Sequence, residues 1–585
     1  MYGSLRGAFL MGGKRMKVVL VAINSKYIHS NLAVYNLAAY AGKGPFDVAI
    51  REFTINQPEE KILMDLYEED ADIYCFSTYI WNREMVVRIS RELKKVAPKR
   101  KLFYGGPEVS YDAEKFLEAH AFADLVMKGE GEETFRELLF AAADNRDFGN
   151  VDGITYRDGK DIKANPWRNV MDLTKVPFIY RDFVDTDLFR NKIIYYETSR
   201  GCPFRCSYCL SSVDKKLRFR DLERVKEELQ FFLDRKVPQV KFVDRTFNCV
   251  KKHALEIWKY ISAHDNGVTN FHFEISADLL DEEMLQVLKE MRKGLVQLEI
   301  GVQTTNPDTL RAIKRTAKTK RIRQNVSAIK SGGNIHQHLD LIAGLPFEDY
   351  QSFQNSFDEV FAMAPDQLQL GFLKVLAGSD MALNRETYGL VYSDMPPYEV
   401  LETKWLSYRD IIRLKGVENM VEVYYNSGQF TCAIRELSAL YESPFRLFED
   451  LAAFMKTRGV FEKKHSREAR FAALYAFAVE MFPAQEKRFR EKLACDFYLR
   501  ENAKRRPEIF GGETVSKEIL RAFYDREKEE HRFLPFYQNK SALYMRNVTH
   551  MEKIDGKYYL FIYHRRDPLS GNARMVEIPE TYFKK

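Results

Sequence analysis

The feature that most restricts what this 585-residue chain can fold into is an alternation of short apolar runs with amphipathic helical runs, and it occurs twice. The first stretch covers residues 17–145. Strand-like runs at Lys17–Ile23, Asp47–Phe53, Asp72–Ser77, Lys101–Tyr104 and Asp124–Lys128 are separated by helix-like segments such as Asn82–Val96. Such alternation predicts a parallel sheet with helices on both faces, because each crossover must return the chain to the same end of the sheet. Five strands here predict a flavodoxin-like doubly wound domain, which binds ligands at the carboxyl ends of its strands. The pattern resumes at Ile193–Thr198. It continues through Val240–Asp244, Phe271–Ser276, Val296–Val302, Ile335–Ala343 and Gln367–Val375. Six repeats predict a partial (β/α)6 barrel over residues 193–380, with its chemistry again at the carboxyl strand ends.

The remaining segments read differently. Residues 1–16 form an extension and residues 146–192 a linker, with a hairpin turn at Arg157-Asp158-Gly159-Lys160. Residues 381–585 read as a mainly helical domain ending in short antiparallel strands, with turns at Asp555-Gly556 and Ser570-Gly571. A net charge of +6 over so long a chain does not call for an anionic partner. No run approaches the roughly 20 apolar residues that span a membrane, and the first residues lack the apolar core of a signal peptide. The expectation is a cytoplasmic protein with no membrane partner.

Seven cysteines, an odd number spread along the chain, argue against a disulfide framework. Cys75, Cys432 and Cys495 read as buried apolar residues, and Cys249 as packing. The other three lie in Cys202-Pro203-Phe204-Arg205-Cys206-Ser207-Tyr208-Cys209, directly after the first barrel strand. In a reducing compartment such a cluster points to metal chemistry. Three thiolates can hold three irons of a [4Fe–4S] cluster and leave the fourth open to a chelating ligand. The competing reading, a zinc knuckle, calls for four ligands in paired spacings, and no second pair is present.

The C-x3-C-x-aromatic-C run, with Tyr208 as its aromatic, resembles the signature of the radical S-adenosylmethionine (SAM) superfamily. The resemblance implies that Cys202, Cys206 and Cys209 hold a cluster that cleaves SAM to a 5′-deoxyadenosyl radical. Further segments are similar to the subgroup of coproporphyrinogen oxidase and elongator-type enzymes. By that resemblance Glu274, at the end of Phe271-His272-Phe273-Glu274, and Gln303, at the end of the next strand, contact SAM. Arg315 lies near the SAM carboxylate, in a helix that Asn306-Pro307 would start. Asp340, in Leu339-Asp340-Leu341-Ile342-Ala343-Gly344-Leu345-Pro346, contacts SAM or substrate. Where many members have Gly-Gly-Glu, this chain has Phe242-Val243-Asp244-Arg245-Thr246-Phe247, and Asp244 becomes the candidate for the SAM amine. Each of these is also readable as an ordinary polar residue on a barrel rim.

A flavodoxin-like domain before such a barrel resembles the cobalamin-binding class of the superfamily. The residues that carry this are Ser77 and Thr78 after the third strand, Gly105-Gly106 after the fourth, and Gly129-Glu130 after the fifth. His29 holds the position of the histidine in D-x-H-x-x-G, but Asp and Gly are absent, so His29 as cobalt ligand and His29 as corrin contact or helix cap both stay open. The resemblance implies a methyltransferase acting on an unactivated carbon of a small molecule or RNA, served by an electron donor such as flavodoxin or ferredoxin. A radical cyclisation or rearrangement is the alternative within the class. From another class, the basic, aromatic-rich tract at 451–510 admits a non-catalytic RNA- or cofactor-binding protein. Those aromatics could equally cover the barrel mouth.

Overall fold

The computed structural model describes residues 15–183, 192–214, 216–459, 466–503, 505–511 and 514–583. The extension at 1–16 lies almost wholly outside the described residues, as do parts of the linker and of the basic tract. The chain divides into two compact units. One comprises Met1–Phe273 with Lys374–Thr387 and Tyr392–Glu399, the other Glu274–Leu373, Tyr388–Val391 and Val400–Lys585.

The first unit opens with strands β1 (Met16–Asn24), β2 (Phe46–Thr54), β3 (Ile73–Ser77), β4 (Lys101–Gly105) and β5 (Leu125–Met127). They are parallel, as the sequence predicts, and their order is β2-β1-β3-β4-β5. β1 is apolar almost throughout because helices cover both of its faces, and Val18–Ile23 are at most 1% exposed. The flanking helix Arg83–Val96 buries Val86, Val87, Ile89, Ser90 and Leu93, one stripe of an amphipathic pattern. Two more strands, β6 (Ile154–Asp158) and β7 (Asp161–Ala164), join antiparallel at the β5 edge, so part of the expected linker extends this sheet.

The second alternating stretch begins in the same unit with β8 (Ile194–Tyr196). A two-stranded ribbon follows, β9 (Ser199–Arg200) paired with β10 (Arg218–Phe219), and it brackets the cysteine loop. β11 (Gln239–Phe242) then runs parallel to β8 and to β12 (Asn270–Ile275). Phe242, Phe247 and Phe273 pack in one aromatic knot, with centroids 4.3–4.4 Å apart about Phe273.

In the second unit β13 (Val296–Gln303), β14 (His336–Ala343) and β15 (Gln367–Phe372) are parallel and adjacent. All six strands expected of the second stretch are therefore present. Within the second unit the helical region packs against the helix that follows β14. Phe445 and Phe448 meet Phe357 and Phe361 of helix Tyr350–Phe361 at 5.5–5.9 Å. Asn426 closes the edge of β15: its Oδ1 accepts from Leu368 N and its Nδ2 donates to Leu368 O, both at 2.9 Å. One side chain thus replaces a missing strand partner.

In the described part of the tract at 451–510, aromatics and arginines that suggested a nucleic-acid surface have partners within the protein. Phe471, Phe489 and Tyr498 are at most 1% exposed, within the domain's own core. Arg467, Arg488, Arg490 and Arg506 are ion-paired to Glu501, Glu436, Glu486 and Glu552. Strands Thr549–Ile554, Lys557–Ile562 and Arg574–Ile578 form the expected terminal antiparallel sheet. Among the described residues no helix is long and apolar enough to cross a membrane.

Candidate active site

The cysteine loop starts where β8 ends. Cys202 and Cys206 are each 8% exposed, while Tyr208 and Cys209 are half-buried. Backbone bonds hold the loop tight: Cys202 N donates to Asp214 O (3.2 Å), Cys209 N to Cys206 O (3.1 Å), and Met381 N to Ser207 O (2.8 Å). Burial pushes the Cys202 thiol up; the Phe204 amide and the Thr246 hydroxyl oppose this, and charge on Cys209 and Cys206 would add to it. Such thiolates need adjacent positive charge, which iron supplies. Among the described residues no three His, Cys, Asp or Glu side chains converge on one metal ion. Each thiolate of a cubane holds a different iron. Three thiols on one loop fit the cluster.

Asp244 follows β11 and is fully buried. Its Oδ1 accepts from Thr198 Oγ1 (2.5 Å) and Ser199 Oγ (2.6 Å), and its Oδ2 from Thr198 N (3.0 Å). Burial pushes its carboxyl up to about 6. The SAM-amine contact expected of Asp244 finds no exposed carboxylate here. The residue instead ties the end of β11 to the entry of the cysteine loop.

The ribbon beside the loop carries paired arginines. Arg218 Nη1 lies 2.7 Å from Glu130 Oε1, and Glu130 Oε2 also accepts from Met171 N (2.8 Å). Arg200 bonds Glu132 at 2.5 Å and Glu197 at 2.9 Å. Burial alone would raise the Glu132 carboxyl, but the Arg200 guanidinium overrides it and holds the group below the usual carboxylate range. Glu130, expected as a cobalamin contact, is thus engaged by the cysteine-loop ribbon.

The other residues expected to meet cobalamin lie at the carboxyl ends of the first sheet. Ser77 Oγ accepts from Asn31 Nδ2 (3.1 Å), and Thr78 is fully buried. Gly106 has φ +110°, and a Cβ there would stand 2.4 Å from Thr78 O. At Gly106 the absent side chain lets the chain's own backbone approach, with the Thr78 carbonyl occupying the place of a Cβ. Gly129, at φ +70°, lies under Trp167, whose ring would be 3.4 Å from an added Cβ. His29 Nδ1 is 2.6 Å from Tyr195 Oη, so a phenol takes the place of the orienting carboxylate. Burial, then the charges of Lys26 and Lys241, lowers the imidazole pKa. Tyr27 (65%), Trp81 (43%) and Trp167 (51%) are exposed around these loops. Large apolar side chains left open beside small residues fit a broad, largely apolar ligand such as a corrin.

In the second unit three expected residues gather at Gly301. Arg315 Nη2 donates to Gly301 O. Gly301 pairs in register with Asp340, and a Cβ on it would meet Gln303 Nε2 at 2.3 Å. Gln303 itself adopts φ +73° where the register shifts between β13 and β14. A bulge of this kind re-aims a side chain at a sheet end. Asp340 Oδ1 is 3.1 Å from His338 Nε2. Glu274, on β12, is half-buried.

Two carboxylates escaped the sequence reading. Glu197 directly follows β8, and its Oε2 is buried without a hydrogen-bond partner among the described residues. Its position at a strand end was the available signal. Glu348, just beyond the Gly344-Leu345-Pro346 turn, is 0% exposed. It accepts from Thr304 Oγ1 (2.5 Å) and Ser356 Oγ (3.0 Å), and its Oε2 also lacks a partner among the described residues. Burial pushes its carboxyl up to about 7.

Comparison with known families decides what these two sheets are. A B12 binding domain profile matches residues 18–139, and a radical SAM superfamily profile matches residues 196–360. The chain carries a B12-binding domain and a radical SAM domain. A third profile, described as a protein of unknown function (DUF4080), matches residues 386–566 and so covers most of the chain beyond the radical SAM domain. Two curated relatives are each 28% identical. One is the 2-(S-pantetheinyl)-carbapenam-3-carboxylate methyltransferase of Streptantibioticus cattleyicolor, matched over 54% of this chain and 49% of that protein. The other is the cobalamin-dependent radical SAM methyltransferase TokK of Streptomyces tokunonensis, matched over 49% of this chain and 44% of that protein. The chain thus spans about half the length of these relatives. Among solved structures, the cobalamin-dependent SAM radical enzyme OxsB, with aqua-cobalamin and SAM bound, shares the fold. Its TM-score is 0.57 at 15% identity, over 82% of this chain and 78% of that one.

Proposed function

We propose that this protein is a cobalamin-dependent radical SAM methyltransferase that methylates an unactivated carbon. The observation that carries the reading is the joining, within one compact unit, of a B12-binding sheet to a three-thiol loop through Glu130 and Glu132 on one side and Arg218 and Arg200 on the other. Cys202, Cys206 and Cys209 would hold a [4Fe–4S] cluster, and the loops bearing His29, Ser77, Thr78, Gly105, Gly106 and Gly129 would border cobalamin. When bound, the cluster supplies the electron that cleaves SAM, and cobalamin supplies a methyl carrier. The protein's own work is positional. The thiols fix the loop, Asp244 anchors its entry, and the Gly301 cluster of Gln303, Arg315 and Asp340 offers polar groups suited to the amino-acid end of SAM. Glu274 would add a further SAM contact. The names of the two 28% identical relatives support methyl transfer.

An electron donor such as flavodoxin or ferredoxin, in a reducing cytoplasm, suits this chemistry. The substrate is a small molecule or an RNA. Anaerobically reconstituted protein with SAM, cobalamin and reductant should form 5′-deoxyadenosine. An untargeted metabolite comparison with a deletion strain should reveal a product heavier by one CH2 unit. A product of unchanged carbon count would instead support cyclisation or rearrangement. Retention of full SAM cleavage in a Cys202/Cys206/Cys209→Ala variant would remove the cluster from the proposal.

A further inference from the structure

The helical region holds a second sulfur site, remote in sequence from the cysteine loop. Cys432 opens helix Thr431–Ser438, and Cys495 lies in helix Glu486–Arg500. Their Sγ atoms are 3.4 Å apart, with both thiols free. Asp496, fully buried by its neighbours, accepts from Cys432 N (2.8 Å) and Ala433 N (2.9 Å). Those bonds fix the start of the first helix onto the second and leave Cys432 facing Cys495. The thioether of Met575, 41% exposed, lies 3.7 Å from Cys495 Sγ. Cys495 is 4% exposed, whereas Cys432 is half-buried, so Cys432 is the less enclosed residue of the two. The sequence expectation of buried apolar cysteines holds for Cys495, while Cys432 is half-buried and faces it.

We propose that Cys432 and Cys495 are a redox-active dithiol that hydrogen peroxide converts to a disulfide linking the two helices. The Cys432 thiolate attacks one peroxide oxygen; the O–O bond breaks, and the departing hydroxide takes a proton to leave as water. Cys432 is then a sulfenic acid. The Cys495 sulfur attacks it, the S–O bond breaks, and the hydroxide leaves as a second water with the Cys495 proton. Two thiols and one peroxide become one disulfide and two waters, sulfur being oxidised and oxygen reduced. The sulfurs must close by about 1.4 Å to reach the bonded distance of about 2.05 Å. The Cys432 thiol is pushed well up, first by its hydrogen bond with Cys495 and then by burial. Attack therefore draws on a small thiolate fraction, and its rate should rise about tenfold per pH unit above neutrality.

The test uses the full chain, purified anaerobically, treated with hydrogen peroxide under native conditions, acid-quenched, denatured and alkylated. Peptide mass spectrometry should find the Cys432 and Cys495 peptides joined, two hydrogens lighter than their sum and separable by dithiothreitol. Cys432→Ser and Cys495→Ser should each abolish the joined species, and its rate of formation should climb with pH. The proposal is overturned if both cysteines remain alkylatable at a peroxide dose that oxidises other cysteines. It is equally overturned if Cys432 pairs with a different cysteine or passes to sulfinic acid without joining Cys495.

Discussion

At Gly106 two constraints coincide: a backbone angle that L side chains rarely adopt and a Thr78 carbonyl oxygen 2.4 Å from any Cβ. Gly106→Ala should cost roughly 2–3 kcal/mol and weaken cobalamin retention, read as a lower thermal midpoint of the intact protein and a lower bound-corrinoid ratio. Glu348 offers a test by pH. Its folded-state carboxyl stands at about 7 against an ordinary value of 4.5. Between those values the folded state holds a proton that the unfolded chain has released, so stability is full at the acid end and falls as pH rises toward 7. A shift of that size corresponds to about 3 kcal/mol. Glu348→Gln should therefore flatten the dependence of unfolding free energy on pH between 5 and 7; a slope equal to that of the parent protein would show that Glu348 is already ionised.

At the scale of elements, the junction between the β9–β10 ribbon and the segment after β5 carries a network of ion pairs. Arg200, with a side chain 15% exposed, has Glu132, Glu197 and Glu130 around it. Glu132→Ala removes its 2.5 Å partner and should destabilise the unit by about 1.5–3 kcal/mol, the worth of one charge-assisted hydrogen bond, with Glu197 at 2.9 Å still balancing the guanidinium. Thermal unfolding checks the cost. Iron content after reconstitution checks whether the cysteine loop moves with it. Arg200→Met should cost more than Glu132→Ala, because it also strips Glu197 of its 2.9 Å partner. Asn426 does comparable work in the second unit. Asn426→Ala frees both backbone groups of Leu368 at the β15 edge and should cost about 1–2 kcal/mol, with faster aggregation as the visible consequence of an open strand edge.

At the scale of the whole molecule, the proposed chemistry separates into two requirements that can be withdrawn independently. Protein reconstituted with iron and sulfide but without cobalamin should still release 5′-deoxyadenosine from SAM and should form no methylated product. Methylation without cobalamin would reassign the first sheet to a packing role. The C-terminal region contributes differently from what its composition suggests. Phe471, Phe489 and Tyr498 lie in its own core, and Arg467, Arg488, Arg490 and Arg506 are paired with neighbouring glutamates. Its helices instead brace helix Tyr350–Phe361 and the edge of β15.

The sequence by itself determined the layered α/β plan and the cysteine loop. Period-two and period-3.6 patterns are local, and a strand covered on both faces, such as β1, has to be apolar along its length. Three thiols within eight residues after a strand are likewise legible one residue at a time. Only the tertiary structure decided what the polar residues do, because their partners are far away in the chain. It spent Asp244 on Thr198 and Ser199, Glu130 on Arg218, and the space at Gly106 on Thr78. It also isolated Glu348 beside Thr304 and brought Cys432 to Cys495 across 63 positions. A carboxylate at a strand end looks the same in sequence whether it waits for a ligand or is already satisfied, and burial together with hydrogen-bond geometry is what separates the two.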